Sequence, residues 1–284
     1  MMEGVLMPSL IHMAPLPGGR GSQHIPLWII GLLAVLPSFL CSPAGAANSP
    51  ASPSATSLSA DDPRMPVDST RAPWSAIAMV QLSTGSNWIQ FCTGALIEPR
   101  VILVGAACLI NPRTQRLAPA SSLSVLFGYD RGTYKCALRV ASYQVGTGFD
   151  GHRTDQLEGN EWARLTLTGA PDASITPLPL AAAPPAPDTP LALPAFYQDR
   201  MHALLADPTC RVKRVASVDG TVAIVHTCTT ARGAIGAPLL TQRDGRWEVV
   251  GVNAWIGSDG SEAIAPTASG TQVGPAPKSV QPAR

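Results

Sequence analysis

Hydrolysis through a covalent intermediate needs a nucleophilic oxygen or sulfur, an imidazole to take its proton, and a carboxylate to orient that imidazole. In the 284-residue chain the glycine turn Gly233-Ala234-Ile235-Gly236-Ala237-Pro238 has no side chain that carries a nucleophile. Beyond residue 46 the histidines are His152, His202 and His226. His152 lies in a polar stretch, Asp150-Gly151-His152-Arg153-Thr154-Asp155, upstream of Glu161, which reads as an exposed loop. His226 precedes Cys228 on an apolar run and reads as a structural residue. No His, Cys, Asp or Glu cluster has metal-ligand spacing, so neither a metal nor a cofactor is expected.

The elements that must position these residues read as short strands. Runs rich in β-formers cover 75–82, 91–97, 101–104, 123–127, 134–143 and 162–167, then 222–225, 238–241 and 247–253. Tyr134, Cys136, Leu138 and Val140 alternate with Lys135, Ala137, Arg139 and Ala141, the period of a half-buried strand. With 25 Gly and 28 Pro and no long amphipathic period, a helical bundle is disfavoured and an antiparallel all-β fold is expected. Ala181 to Pro190 is proline-rich and cannot continue a central strand, so it divides the strands into two groups.

A net charge of +1 supplies no basic surplus to hold a nucleic acid backbone. The apolar run from Pro26 to Cys41 is broken by Pro37 and falls short of the roughly 20 residues of a spanning helix. Ala44-Gly45-Ala46 follows it, so residues 1–46 are expected to be a secretory signal, with Met1 or Met13 as the start. The alternative is an uncleaved N-terminal membrane anchor. Leu40 is too large for a lipobox at Cys41. Residues 47–70 and 257–284 are rich in Ala, Ser and Pro without an apolar period, and are expected to be a flexible leader and a disordered tail. The compact part is expected as an N-terminal unit over 71–180 and a C-terminal unit over 181–256. Removing residues 1–46 leaves five cysteines in an oxidising compartment, an odd number. Cys136 is expected as a buried thiol, with an intermolecular disulfide as the alternative.

Several segments, in order, resemble the trypsin-like (chymotrypsin-fold) serine proteases, nearest to the bacterial glutamyl-endopeptidase-like branch. They are Pro73-Trp-Ser-Ala-Ile77, Cys92-Thr-Gly-Ala-Leu-Ile97 with Val101-Ile-Leu-Val-Gly-Ala-Ala-Cys108, Glu161-Trp-Ala-Arg-Leu-Thr-Leu167, and His226-Thr-Cys228 with Gly233 to Pro238 and Val249-Val-Gly-Val252. The resemblance implies two antiparallel six-stranded β-barrels packed around a cleft, with disulfides Cys92–Cys108 and Cys210–Cys228. It places the family's His position on Ala107, its Asp position on Glu161 and its Ser position on Ile235. Gly233, Ala234 and Ile235 would form a vestigial oxyanion loop. The family's Asp beside the nucleophile, which often meets a newly cut N-terminus, is replaced by Ala234.

These replacements imply an exported, inactive protease homologue. Glu161, with no imidazole to hold, is expected as a solvated or loosely paired acid. The expected partner is an unidentified protein or peptide, with no nucleic acid, and a membrane only if the N-terminal segment is retained. The rival reading is a serine endopeptidase with relocated catalytic groups, using His152 or His202. Trp255, after the Val-Gly-Val strand, is expected as core packing.

Overall fold

The computed structural model describes residues 62–85, 89–149, 151, 160–200, 203–218, 221–257 and 260–264. The expected signal segment, His152 and His202 lie outside the described residues. Every regular element of the described chain is a strand or a short 3-10 turn.

Six strands close into one antiparallel barrel in the order β2-β3-β4-β9-β8-β7. They are β2 (Ile77–Ser83), β3 (Ile89–Glu98), β4 (Val101–Val104), β7 (Leu123–Phe127), β8 (Cys136–Val145) and β9 (Ala163–Leu167). The sequence alternation places the inside: Cys136, Leu138 and Val140 of β8 and Ala163, Leu165 and Leu167 of β9 are all buried. On β2, Ala78 and Met79 are buried as well as Ile77, Val80 and Leu82, because the strand is covered on both faces. Two minor strands, β5 (Ile110–Asn111) and β6 (Arg116–Leu117), form a small hairpin between β4 and β7.

The second half holds the second group of antiparallel strands. It comprises a five-stranded sheet, β12-β13-β16-β15-β14, and a three-stranded sheet, β1-β11-β10. The strands of the larger sheet are β12 (Val212–Val218), β13 (Thr221–His226), β14 (Pro238–Arg243), β15 (Arg246–Gly257) and β16 (Gly260–Ile264). Those of the smaller are β1 (Met65–Pro66), β10 (Leu193–Ala195) and β11 (Leu205–Asp207). Antiparallel bridges join the two sheets on both sides of the segment leading into β10, Ala192 to Leu240 of β14 and Pro190 to Arg211 beside β12. Hydrogen bonds from the Leu191 N–H to the Cys210 carbonyl and from the Val212 N–H to the Thr189 carbonyl reinforce the second, which closes the ring of strands. Pro190 and Pro194 have no N–H to donate, so the donors along this segment are their neighbours, Leu191 to the Cys210 carbonyl and Ala192 to the Leu240 carbonyl.

Two segments expected to be unstructured contribute strands. Residues Met65 and Pro66, within the expected leader, pair with Ala206 and Leu205. Gly260–Ile264, within the expected tail, lies between β13 and β15, with the small side chains of Ser261 and Ala263 buried. Neither shows an apolar period, because main-chain pairing and small buried residues hold them rather than large side chains.

Both disulfides implied by the resemblance are present, Cys92–Cys108 and Cys210–Cys228. Each stabilises by about 2–4 kcal/mol, chiefly by restricting the unfolded chain. Cys136 corrects the expected thiol: it is disulfide-bonded, with its partner outside the described residues. An alternating burial pattern identifies an inward-facing residue but cannot distinguish a buried thiol from a buried half-cystine. The chain has six cysteines, and the two described bridges use four. Cleavage near residue 46 would leave five, so a monomer with a bonded Cys136 and that cleavage site are mutually exclusive. Non-reducing peptide mapping of the exported protein is expected to find Cys136 in a third bridge. A free Cys136 in a monomer beginning near residue 47 would overturn this.

Candidate active site

The halves meet along a buried interface in which β3 faces β10 and β14. Trp74 and Trp247 stack with ring centroids 5.6 Å apart, and Tyr129 meets Phe196 edge-on at 5.7 Å. Thr93 on β3 is fully buried, and its hydroxyl accepts the Phe196 N–H at 2.8 Å.

Three loops converge at one end of this interface. The first is the 3-10 turn Ala106–Leu109 after β4, anchored by Cys108 in its bridge to Cys92. The second is the segment leading into β9, and the third is the turn from Gly233 to Pro238. The residues flanking Ala107 link them. The Ala106 N–H donates to the Glu161 carbonyl at 3.4 Å, and Cys108 Sγ lies 3.6 Å from the Ile235 carbonyl oxygen. That sulfur is committed to its disulfide and has no proton, so this is a packing contact. The segments that hold Ala107, Glu161 and Ile235 are thus adjacent, through contacts of Ala106 and Cys108 on either side of Ala107.

The close approach depends on glycine. A Cβ on Gly236 (φ 84°) would lie 2.7 Å from Cys108 Sγ and 2.8 Å from the Gly105 nitrogen. On Gly233 (φ 100°) it would lie 2.4 Å from the Phe196 carbonyl oxygen. Neither position admits a side chain, for reasons of space and of backbone conformation.

Ala107 is exposed, Ile235 is half-buried and Ala234 is fully buried. Of the two alternatives expected for Glu161, the solvated acid does not hold: at 8% exposure it is buried, and its carbonyl accepts the Ala106 N–H.

Asn253, which sequence reasoning treated only as a departure from the family pattern, fixes the turn. Its side-chain amide donates to the Ala234 carbonyl at 2.9 Å and its backbone N–H to the Ala237 carbonyl at 2.8 Å. Its own carbonyl accepts the Gly236 N–H at 2.7 Å, and its Oδ1 lies 3.1 Å from His226 Nε2. His226 Nδ1 accepts the Cys228 N–H at 3.3 Å, so Nε2 carries the proton and donates to Asn253. Both ring nitrogens are thus engaged and the ring is fully buried. Burial pushes the imidazole pKa down to about 4, outweighing the hydrogen bond to Asn253, so the ring is neutral. The structural role read from the sequence gains a specific content: His226 orients Asn253, and Asn253 holds the turn.

Among the described residues, the N–H groups of Gly233 and Ile235 donate to no protein acceptor. The arrangement offers backbone donors at a rigid turn. The Thr93 hydroxyl lies 3.5 Å from the Gly233 carbonyl oxygen but is fully buried and accepts the Phe196 N–H. His226, the one imidazole among the described residues, has both nitrogens engaged. The Trp255 side chain lies outside the described residues.

No family model matches the sequence, and no curated protein matches it. Among solved structures, a Glu endopeptidase in complex with MPD is similar, with a TM-score of 0.59 and 21% identity. The match covers 73% of this chain and 93% of that one. At this identity the likeness is one of fold: the chain carries the all-β fold of the trypsin-like serine proteases.

Proposed function

We propose that this chain is an exported, catalytically inactive homologue of trypsin-like serine proteases that binds a protein or peptide partner at its cleft. One observation carries the reading. The segments that hold Ala107, Glu161 and Ile235 meet, and the family resemblance assigns the positions of base and nucleophile to Ala107 and Ile235, neither of which carries the group required. His226, the one imidazole among the described residues, is buried with both nitrogens committed. Loss of a triad member leaves at most about 10³–10⁴-fold catalysis over water, from the oxyanion donors and binding. The disulfides are compatible with an extracellular or periplasmic location.

The test is covalent labelling of the purified full chain with a fluorophosphonate probe, alongside hydrolysis of casein and of acidic, basic and aromatic peptides. Neither labelling nor turnover is expected. Labelling that His152→Ala abolishes would establish the endopeptidase with relocated groups instead.

A further inference from the structure

We propose that Arg64 is the positioning residue for the cleft turn, so that the N-terminal segment holds the site in shape through a side chain and without being cut. Arg64 lies one residue before β1, whose pairing with β11 lays this segment on the smaller sheet, and the Val67 N–H extends the attachment to the Leu204 carbonyl at 3.1 Å. The Arg64 side chain is 8% exposed. Its Nε donates to Asp62 Oδ1 at 2.9 Å and its Nη2 to Asp62 Oδ2 at 2.6 Å. On the other side Nη1 and Nη2 reach the two carboxylate oxygens of Asp199 at 3.2 and 3.0 Å. The guanidinium also lies over the Tyr197 ring, 4.5 Å from its centroid.

Tyr197 and Asp199 frame the strip of chain against which the turn rests. The Tyr197 hydroxyl donates to the Thr229 carbonyl at 3.1 Å. The Gln198 N–H, between them, donates to the Arg232 carbonyl at 2.7 Å. Gly233 then packs so closely on Phe196 and Gln198 that no Cβ fits. Three successive contacts thus tie residues 229–233 to 196–198, and Arg64 clamps 197 and 199 from behind. A fork held by two carboxylates and stacked on a ring has one geometry, which a flexible ammonium would not impose. Ala234 offers no carboxylate by which the turn could be ordered from its own side. The cation acts one layer further back, through Tyr197 and Asp199.

The test is hydrogen–deuterium exchange of the full chain, independent of whether the cleft hydrolyses anything. Arg64→Gln is expected to speed exchange of amides in 229–237 by about tenfold or more, leaving β7 and β9 unchanged. Arg64→Lys is expected to restore part of the protection. The control Arg243→Gln breaks an exposed ion pair with Glu248 and is expected to leave 229–237 unchanged. Asp199→Asn alters a partner that is 44% exposed and should preserve the fold. It is expected to loosen 229–237 in the same way, and it decides the matter if Arg64→Gln accelerates exchange everywhere. Acceleration confined to residues 62–67, or no change at 229–237 in Asp199→Asn, would overturn the proposal.

Discussion

At pH 4.5 the protein is expected to be about 2 kcal/mol less stable than at pH 7, through His226 alone. In the unfolded chain this imidazole titrates near 6.5, whereas burial lowers it to about 4 in the fold. Between those values the unfolded state binds a proton that the folded state refuses, so stability falls as the pH falls through that window. The lowered carboxyls act elsewhere. Asp62, held down first by its hydrogen bond to Arg64, contributes stability that is lost only below about its ordinary value of 3.8. Urea melts at half-unit intervals from pH 7 to 4, compared between the parent and a His226 variant, therefore separate the share of this histidine. His226→Gln is expected to lower stability at neutral pH but to flatten the slope between 6.5 and 4. An unchanged slope in that variant would mean that His226 is not the group responsible.

What could be read from the sequence follows from which forces leave a pattern in it. The barrel strands were legible because large side chains alternate, as at Cys136, Leu138 and Val140. The turn at Gly233–Pro238 was legible because its glycines answer to backbone crowding that no other residue tolerates. Strands β1, β10, β11, β12 and β16 were not identified. They are short, carry proline or exposed charged residues, or rest on main-chain pairing with small residues such as Ser261 and Ala263. Arg64 was invisible for a related reason. Its order comes from Asp62 two residues away and from Asp199, 135 positions downstream, and a proline-rich segment around it signals only flexibility. Asn253 and His226 could be suspected as unusual polar residues on apolar strands, but only the fold reveals that they meet. Glu161 was legible only in part: its acidic type suggested solvent or a loose partner, and the fold buries it.

Ile235→Ser alone is expected to remain unlabelled by fluorophosphonates, because Ala107 supplies no base to take the hydroxyl proton. Ala107→His with Ile235→Ser is the smallest change expected to yield measurable hydrolysis. Position 107 is exposed on its turn, and the backbone of Glu161 is held next to that turn by the Ala106 N–H, so the pair restores base and nucleophile beside an acidic residue. The rate is expected to be low, since nothing around the turn has been shaped to lock that ring. Adding Ala234→Asp, the change that would complete the family pattern, is expected to harm rather than help. Ala234 is fully buried among Leu193, Ala195, Tyr197 and Leu239, its N–H donates to Ala231 and its carbonyl accepts from Asn253. A carboxylate in that core would be a buried charge without a cation, with a cost of about 3–5 kcal/mol. Its proton uptake would transfer part of that cost to a raised pKa. Urea melts of Ala234→Asp in the otherwise unchanged chain measure it directly. Stability equal to or above that of the parent would show that a cation reaches position 234, and the account of a turn ordered from behind by Arg64 and Asn253 would fail with it.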